Sequence, residues 1–173
     1  MILKKNKIGI LGGSFDPAHK GHLAISKEAV KRLKLKKIIW AITKKNPFKN
    51  PSNKNLSERI RYCKKIIGKV NYIQVKFYEN IIKSNKTINL INFFLKNKKN
   101  QIYFLMGADN LINFHKWHEW EKISKKCKIV VFDRQGYKKK SLNSASFKRL
   151  NKKNLEFIEF KKVNISSSQL RKI

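Results

Sequence analysis

The sequence predicts an α/β fold: an open, doubly wound, mostly parallel sheet in a single domain. Three observations carry this. Short runs rich in Ile, Val, Phe and Tyr recur along the chain, as strands buried on both faces require. Segments of helical period separate them. The polar, chemistry-bearing stretches fall just after the strand runs, where ligands of such sheets bind. With 173 residues, one domain spanning 1–173 with a sizeable core is expected.

Taken in order, the first strand is 7–11. It breaks at Gly12-Gly13 into a polar turn, Ser14-Phe15-Asp16-Pro17, and a helix follows over 21–33. Further strands are expected at 37–43, 72–77, 102–106, 128–132 and 155–160. Helices are expected at 57–67, at 87–96, where Ile88, Ile91 and Leu95 recur at helical spacing, at 110–124 with a break near His115, and from Ser166 onward. The most polar stretch, 138–153, reads as a loop with a short surface helix.

Composition narrows the class. The apolar fraction is 41%, near globular norms. No apolar run approaches the roughly 20 residues of a membrane span. The opening residues, MILKKNK, pass into the first strand without an apolar signal region, so a cytoplasmic protein is expected. Cys63 and Cys127 lie in separate apolar patterns and read as buried thiols rather than a disulfide. Basic residues number 42 against 10 acidic, a net charge of +32. Taken alone, that charge points to a polyanion. The excess is almost all Lys, scattered along the chain, with arginine only at 32, 59, 61, 134, 149 and 171. Base reading favours Arg, so no specific nucleic-acid partner is expected. The charge still attracts anionic substrates within a Debye length of about 8–10 Å.

The organising stretch is KIGILGGSFDPAHKGH, 7–22. A buried strand, small residues and a helix start make a phosphate site, because backbone N–H groups come close and the helix end adds partial positive charge. His19 and His22 are three apart and share a helical face. Gly21 between them removes a side chain where a phosphate chain would approach. Imidazolium N–H groups suit charge neutralisation in phosphoryl-type transfer. Asp16 either orders the turn or acts in the site. His115 and His118 form a second pair at the same spacing, but neither Cys is near either pair, so no metal ligand set is assigned.

Other candidates follow the later strands. Lys49 lies beyond Pro47, in the loop after the second strand, and can meet an anion. Thr87 can cap the helix it opens. Gly107 permits close backbone approach, and Asp109 can cap the next helix or accept from ribose hydroxyls. Trp117 and Trp120 are three apart and read as one helical face. Arg134, at a strand end, suits phosphate through its fixed fork. Ser166 reads as an N-cap, Ser167 and Ser168 offer donors at a helix start, and Arg171 lies on the face of Ser167. Together they form a second anion site.

The motif G-G-S-F-D-P-x-H-x-G-H at 12–22 resembles the signature of the nucleotidylyltransferase superfamily. Within it, the chain resembles the bacterial nicotinate mononucleotide adenylyltransferases through NPFK at 46–49, MGADN at 106–110, FHKWHEW at 114–120, DRQGY at 133–137 and ISSSQLR at 165–171. The resemblance runs nearly end to end and implies a Rossmann-like fold. It also implies transfer of the adenylyl group of ATP to nicotinate mononucleotide, giving deamido-NAD and pyrophosphate. His19, His22 and Arg171 would then be catalytic. ATP would meet Gly12, Gly13, Ser14, Phe15, His19, His22, Gly107, Asp109, Ser166, Ser167 and Arg171, with Mg²⁺ arriving on its triphosphate. The mononucleotide would meet Lys49, Thr87, Trp117, His118 and Arg134, while Trp120 reads as core. Two positions depart from the family: Lys86 stands where an aromatic usually precedes the Thr, and Gln135 stands where Pro is usual. Competing readings are nicotinamide mononucleotide or phosphopantetheine as acceptor and, from another class, a basic nucleic-acid-binding protein.

Overall fold

The computed structural model describes residues 5–47 and 51–159. Six parallel strands form one sheet: β1 Asn6–Gly13, β2 Lys37–Ile42, β3 Ile73–Lys76, β4 Asn100–Gly107, β5 Lys128–Phe132 and β6 Leu155–Ile158. Their spatial order is β3-β2-β1-β4-β5-β6. The chain builds outward from β1 to β3, then returns to lay β4 on the other side of β1. The direction of winding reverses between β1 and β4, and a crevice opens at their carboxyl ends.

Alternate residues of each strand enter opposite layers, as a strand's period of two dictates. On β2, Ile39 and Ala41 join one cluster, while Ile38, Trp40 and Ile42 join the other. Helices α1 (Lys20–Leu33) and α2 (Leu56–Ile67) cover the layer that contains Trp40, Cys63 and Ile67. The opposite layer is closed by α4 (Thr87–Leu95), α5 (Ala108–Asn113) and α6 (Trp120–Lys126) through Ile88, Ile91, Phe94, Leu111 and Ile123. Helix α2 starts at a reciprocal cap, with Glu58 N–H donating to Asn55 Oδ1 and Asn55 N–H to Glu58 Oε2, and stops at Gly68 with φ 59°. Cys63 and Cys127 are buried free thiols, and burial pushes each up to about 12.

Several expectations are revised. Strand β1 continues through Gly12 and Gly13 instead of breaking before them. The break expected near His115 within 110–124 is present and wider than a kink: α5, a 3-10 turn Phe114–Lys116, and α6. Trp117 is extended (φ −75°, ψ 145°) and Glu119 is left-handed (φ 52°), so no continuous helix can pass. Trp117 and Trp120 therefore do not share a helical face. A short helix α3, Glu79–Ile82, was not expected. The polar stretch after β5 holds two short helices, α7 (Lys138–Leu142) and α8 (Ala145–Arg149). The helix expected from Ser166 lies outside the described residues. Among the described residues, no helix is long and apolar enough to cross a membrane.

Candidate active site

The carboxyl ends of β1, β2, β4 and β5 open into one cavity of about 610 Å³. From the β1 side it is lined by Gly12, Gly13, Ser14, Phe15, His19 and His22, and from the β4 side by Gly107 and Asp109. Thr87, Trp117, His118 and Arg134 line it as well. The fold thus brings together twelve of the sequence-expected site residues from five separate stretches. Lys49, Ser166, Ser167 and Arg171 lie outside the described residues.

The two histidines build the start of α1. His19 is the N-cap, with extended backbone. Gly21 N–H donates to His19 Nδ1 at 3.1 Å, and His19 N–H donates to His22 Nδ1 at 3.2 Å. This is a capping box made with imidazoles. With Nδ1 of each ring accepting a backbone N–H, Nε2 is the position through which each imidazole would donate to a phosphate oxygen. The rings lie close, centroid to centroid 3.8 Å.

A column of rings supports them from below. Phe15 lies 4.8 Å from the His22 ring and stacks on Trp40 at 5.0 Å and 17°. Trp40 is fully buried. Its Nε1–H donates to Ser26 Oγ at 2.8 Å, and Ser26 Oγ–H donates to His22 O at 2.9 Å. The turn expected to be polar is therefore buried: Ser14, Phe15 and Asp16 are each at most 9% exposed. Phe15 holds φ 48°, a conformation aromatic residues rarely adopt, held here by packing. Asp16 Oδ2 accepts from Asn53 N–H at 2.5 Å, which ties this turn to the loop before α2. Of its two roles, the structure displays the ordering one.

Past β4, Gly107 is the N-cap of α5, and Asp109 makes no side-chain cap bond. The capping expectation for Asp109 fails because its carboxylate turns to a cation. Asp109 Oδ2 accepts from Arg134 Nη1 at 2.7 Å, and both side chains are mostly buried. Arg134 follows β5, the strand beside β4, so the pair spans adjacent strand ends. Asp133 Oδ1 accepts from Arg134 N–H, and the guanidinium lies 5.3 Å from the centre of the Tyr137 ring.

Trp117 is half-buried, with edge contacts to Phe104 and Phe114. It therefore has a core side and a cavity side. His118, next to it, is exposed. The segment is fixed through His115, whose N–H donates to Ser146 Oγ at 2.8 Å and whose Nδ1 lies 3.1 Å from the same oxygen. Trp120 is half-buried rather than core, between Phe114 and Arg149. Thr87 begins α4 but Lys86 is its N-cap residue, without a side-chain cap bond. Lys86 also lines the cavity.

Three supporting residues escaped the sequence reading: Trp40, Arg59 and Glu79. Glu79 Oε1 accepts from Thr43 Oγ1–H at 2.5 Å and from Lys44 N–H at 3.2 Å, which fixes the loop after β2. Arg59 is buried at 2% exposure, although it is charged. Among the described residues, no three His, Cys, Asp or Glu side chains gather into a metal-binding group. A divalent ion here would be held chiefly by the oxygens of a phosphate ligand, which suits Mg²⁺.

The chain matches the family model described as cytidylyltransferase-like over residues 10–173. A curated relative from Pelagibacter ubique (strain HTCC1062), named "Probable nicotinate-nucleotide adenylyltransferase", is 69% identical over 170 residues, which covers 98% of this chain and 94% of the relative. One of the same name from a Nitratiruptor species is 40% identical over 135 residues, 76% of each chain. The solved structure of Plasmodium falciparum nicotinic acid mononucleotide adenylyltransferase complexed with NaAD matches with a TM-score of 0.81 over 96% of this chain and 83% of that one. At 22% identity, this is a likeness of fold.

Proposed function

Because the chain belongs to the cytidylyltransferase-like family and, within it, to the nicotinate-nucleotide adenylyltransferases, we propose that it joins ATP to nicotinate mononucleotide, giving nicotinate adenine dinucleotide and pyrophosphate. One observation carries the reading. A single cavity at the sheet's reversal point collects a histidine-built helix start and the Trp117–His118 segment. The first suits a polyphosphate, and the second an aromatic ring bearing a carboxylate.

The acceptor's 5′-phosphate oxygen attacks the α-phosphorus of ATP in line. The new P–O bond forms as the bond to the β-phosphate oxygen breaks, and pyrophosphate leaves with the electron pair. The attacking phosphate is already ionised at neutral pH, so no strong general base is needed. The protein's work is alignment and charge neutralisation. Nε2–H donors at His19 and His22 can hold phosphate oxygens. Asp109 suits ribose hydroxyls, and Arg134 suits the phosphate of the mononucleotide. Ser166, Ser167 and Arg171 complete the proposed triphosphate site, and Lys49 and Thr87 the acceptor site. Mg²⁺, bound with ATP, supplies further neutralisation of the triphosphate.

The test is pyrophosphate release by the purified protein with Mg-ATP and, in parallel, nicotinate mononucleotide, nicotinamide mononucleotide or phosphopantetheine. The expected result is turnover with the nicotinate acceptor above the other two. Release with phosphopantetheine alone, or with none of the three, would refute the proposal.

A further inference from the structure

Arg59 belongs to α2 and does not line the cavity, yet it reaches four backbone carbonyls in the loops beside it. Its Nη1 donates to Ser14 O at 2.7 Å and to Thr43 O at 2.8 Å. Its Nη2 donates to Lys44 O and its Nε to Lys54 O, each at 3.2 Å. These carbonyls come from two connections: the turn between β1 and α1, and both ends of the stretch that joins β2 to α2. Ser14 and Thr43 themselves face the cavity.

A lysine could not do this. Its three donors radiate from one point on a flexible stem, whereas a guanidinium holds five in a rigid planar fork. The charge is buried, and burial lowers the Arg59 pKa, while Asp16, Cys63 and Glu79 act against that fall. The two carboxylates brace the same loops. Asp16 accepts from Asn53 N–H, and Glu79 holds Thr43 and Lys44.

We propose that Arg59 is a positioning residue for adenylyl transfer, setting the spacing between the loop that receives ATP and the loop after β2 that serves the mononucleotide. The inference rests on the function proposed above, in which the first loop serves ATP and the second serves the mononucleotide. A change in that spacing misaligns the attacking oxygen and the leaving pyrophosphate. It leaves each binding surface intact, so the loss falls on kcat and not on KM.

The experiment compares the wild-type protein with Arg59→Lys and Arg59→Gln. Near-ultraviolet circular dichroism and thermal melting report folding. Steady-state pyrophosphate release gives kcat and both KM values. Expected are folded variants, KM values within about threefold of wild type, and a kcat lowered roughly a hundredfold. Three results would overturn the inference: an unchanged kcat in the folded variants, a raised KM with kcat preserved, or failure of both variants to fold. The last would make Arg59 part of the scaffold only. A wild-type protein silent with every acceptor refutes the proposed function and takes this inference with it. An active wild type with indifferent variants removes the inference alone.

Discussion

Replacing Gly107 with alanine should separate nucleotide recognition from stability. The backbone there has φ −78° and ψ 157°, which any L-residue adopts, so alanine brings no backbone strain. The obstacle is local: a Cβ at this position would stand 2.5 Å from Asp109 Oδ1. The carboxylate must turn away, and its 2.7 Å bond to Arg134 is lost. An ion pair of this partial exposure contributes about 0.2–1 kcal/mol. Alanine's smaller unfolded-state entropy returns about 0.4–1 kcal/mol. The two nearly cancel, so Tm should move by no more than about 4 °C. Nucleotide binding has no such offset. If Asp109 holds the ribose by charge-assisted hydrogen bonds of about 1.5–3 kcal/mol, kcat/KM for ATP falls roughly ten- to a hundredfold. Steady-state kinetics with ATP varied, beside a thermal melt, measures both. An unaltered ATP dependence at unaltered Tm would refute the assignment of Asp109.

Three further outcomes are expected. His22→Ala removes a donor and the acceptor for His19 N–H. Helix stability should fall by about 1 kcal/mol and kcat by roughly 10²–10³; a folded variant with near-normal turnover contradicts the role. Trp117→Ala should raise KM for the mononucleotide, at a stacking loss of about 1–3 kcal/mol, and leave KM for ATP nearly unchanged, so a defect confined to ATP would reassign the ring. Burial raises both thiols from 9.0 to about 12. The native state keeps these protons where the unfolded chain loses them. That stabilisation is complete below pH 9 and fades as pH rises toward 12. Thiol labelling at pH 8 should be slow until denaturant is added, and the urea midpoint should drop between pH 8 and pH 10.5; fast native labelling would show the burial to be wrong.

The parts of the fold that were legible are those with a one-dimensional signature. Every strand begins and ends within two residues of the apolar run that predicted it, because strands buried on both faces need such runs. The widest departures, of two residues, are at β1, which runs on to Gly13, at β4, which starts early at Asn100, and at β6, which ends at Ile158. The histidine pair was legible because its spacing is local. The break near His115 was legible too, but not its form, in which Trp117 turns extended and Glu119 left-handed. Arg59 was not legible. Its partners are backbone carbonyls, which every residue has, at positions 14, 43, 44 and 54. The scarcity of arginine in so lysine-rich a chain was the one signal that could have drawn attention to it. The pairing of Asp109 with Arg134 needed the order of the strands, and that follows only once β4 and β5 are known neighbours.

The placement of β1 has a consequence for how the molecule loosens. With partners on both sides, it is among the last strands to exchange its amide protons when fluctuations nibble inward from the margins at β3 and β6. The imidazoles stand at the start of the helix that follows this interior strand. Partial unravelling at either margin therefore leaves them seated, and the protein stays primed for a nucleotide through excursions that would disable a site built on its rim.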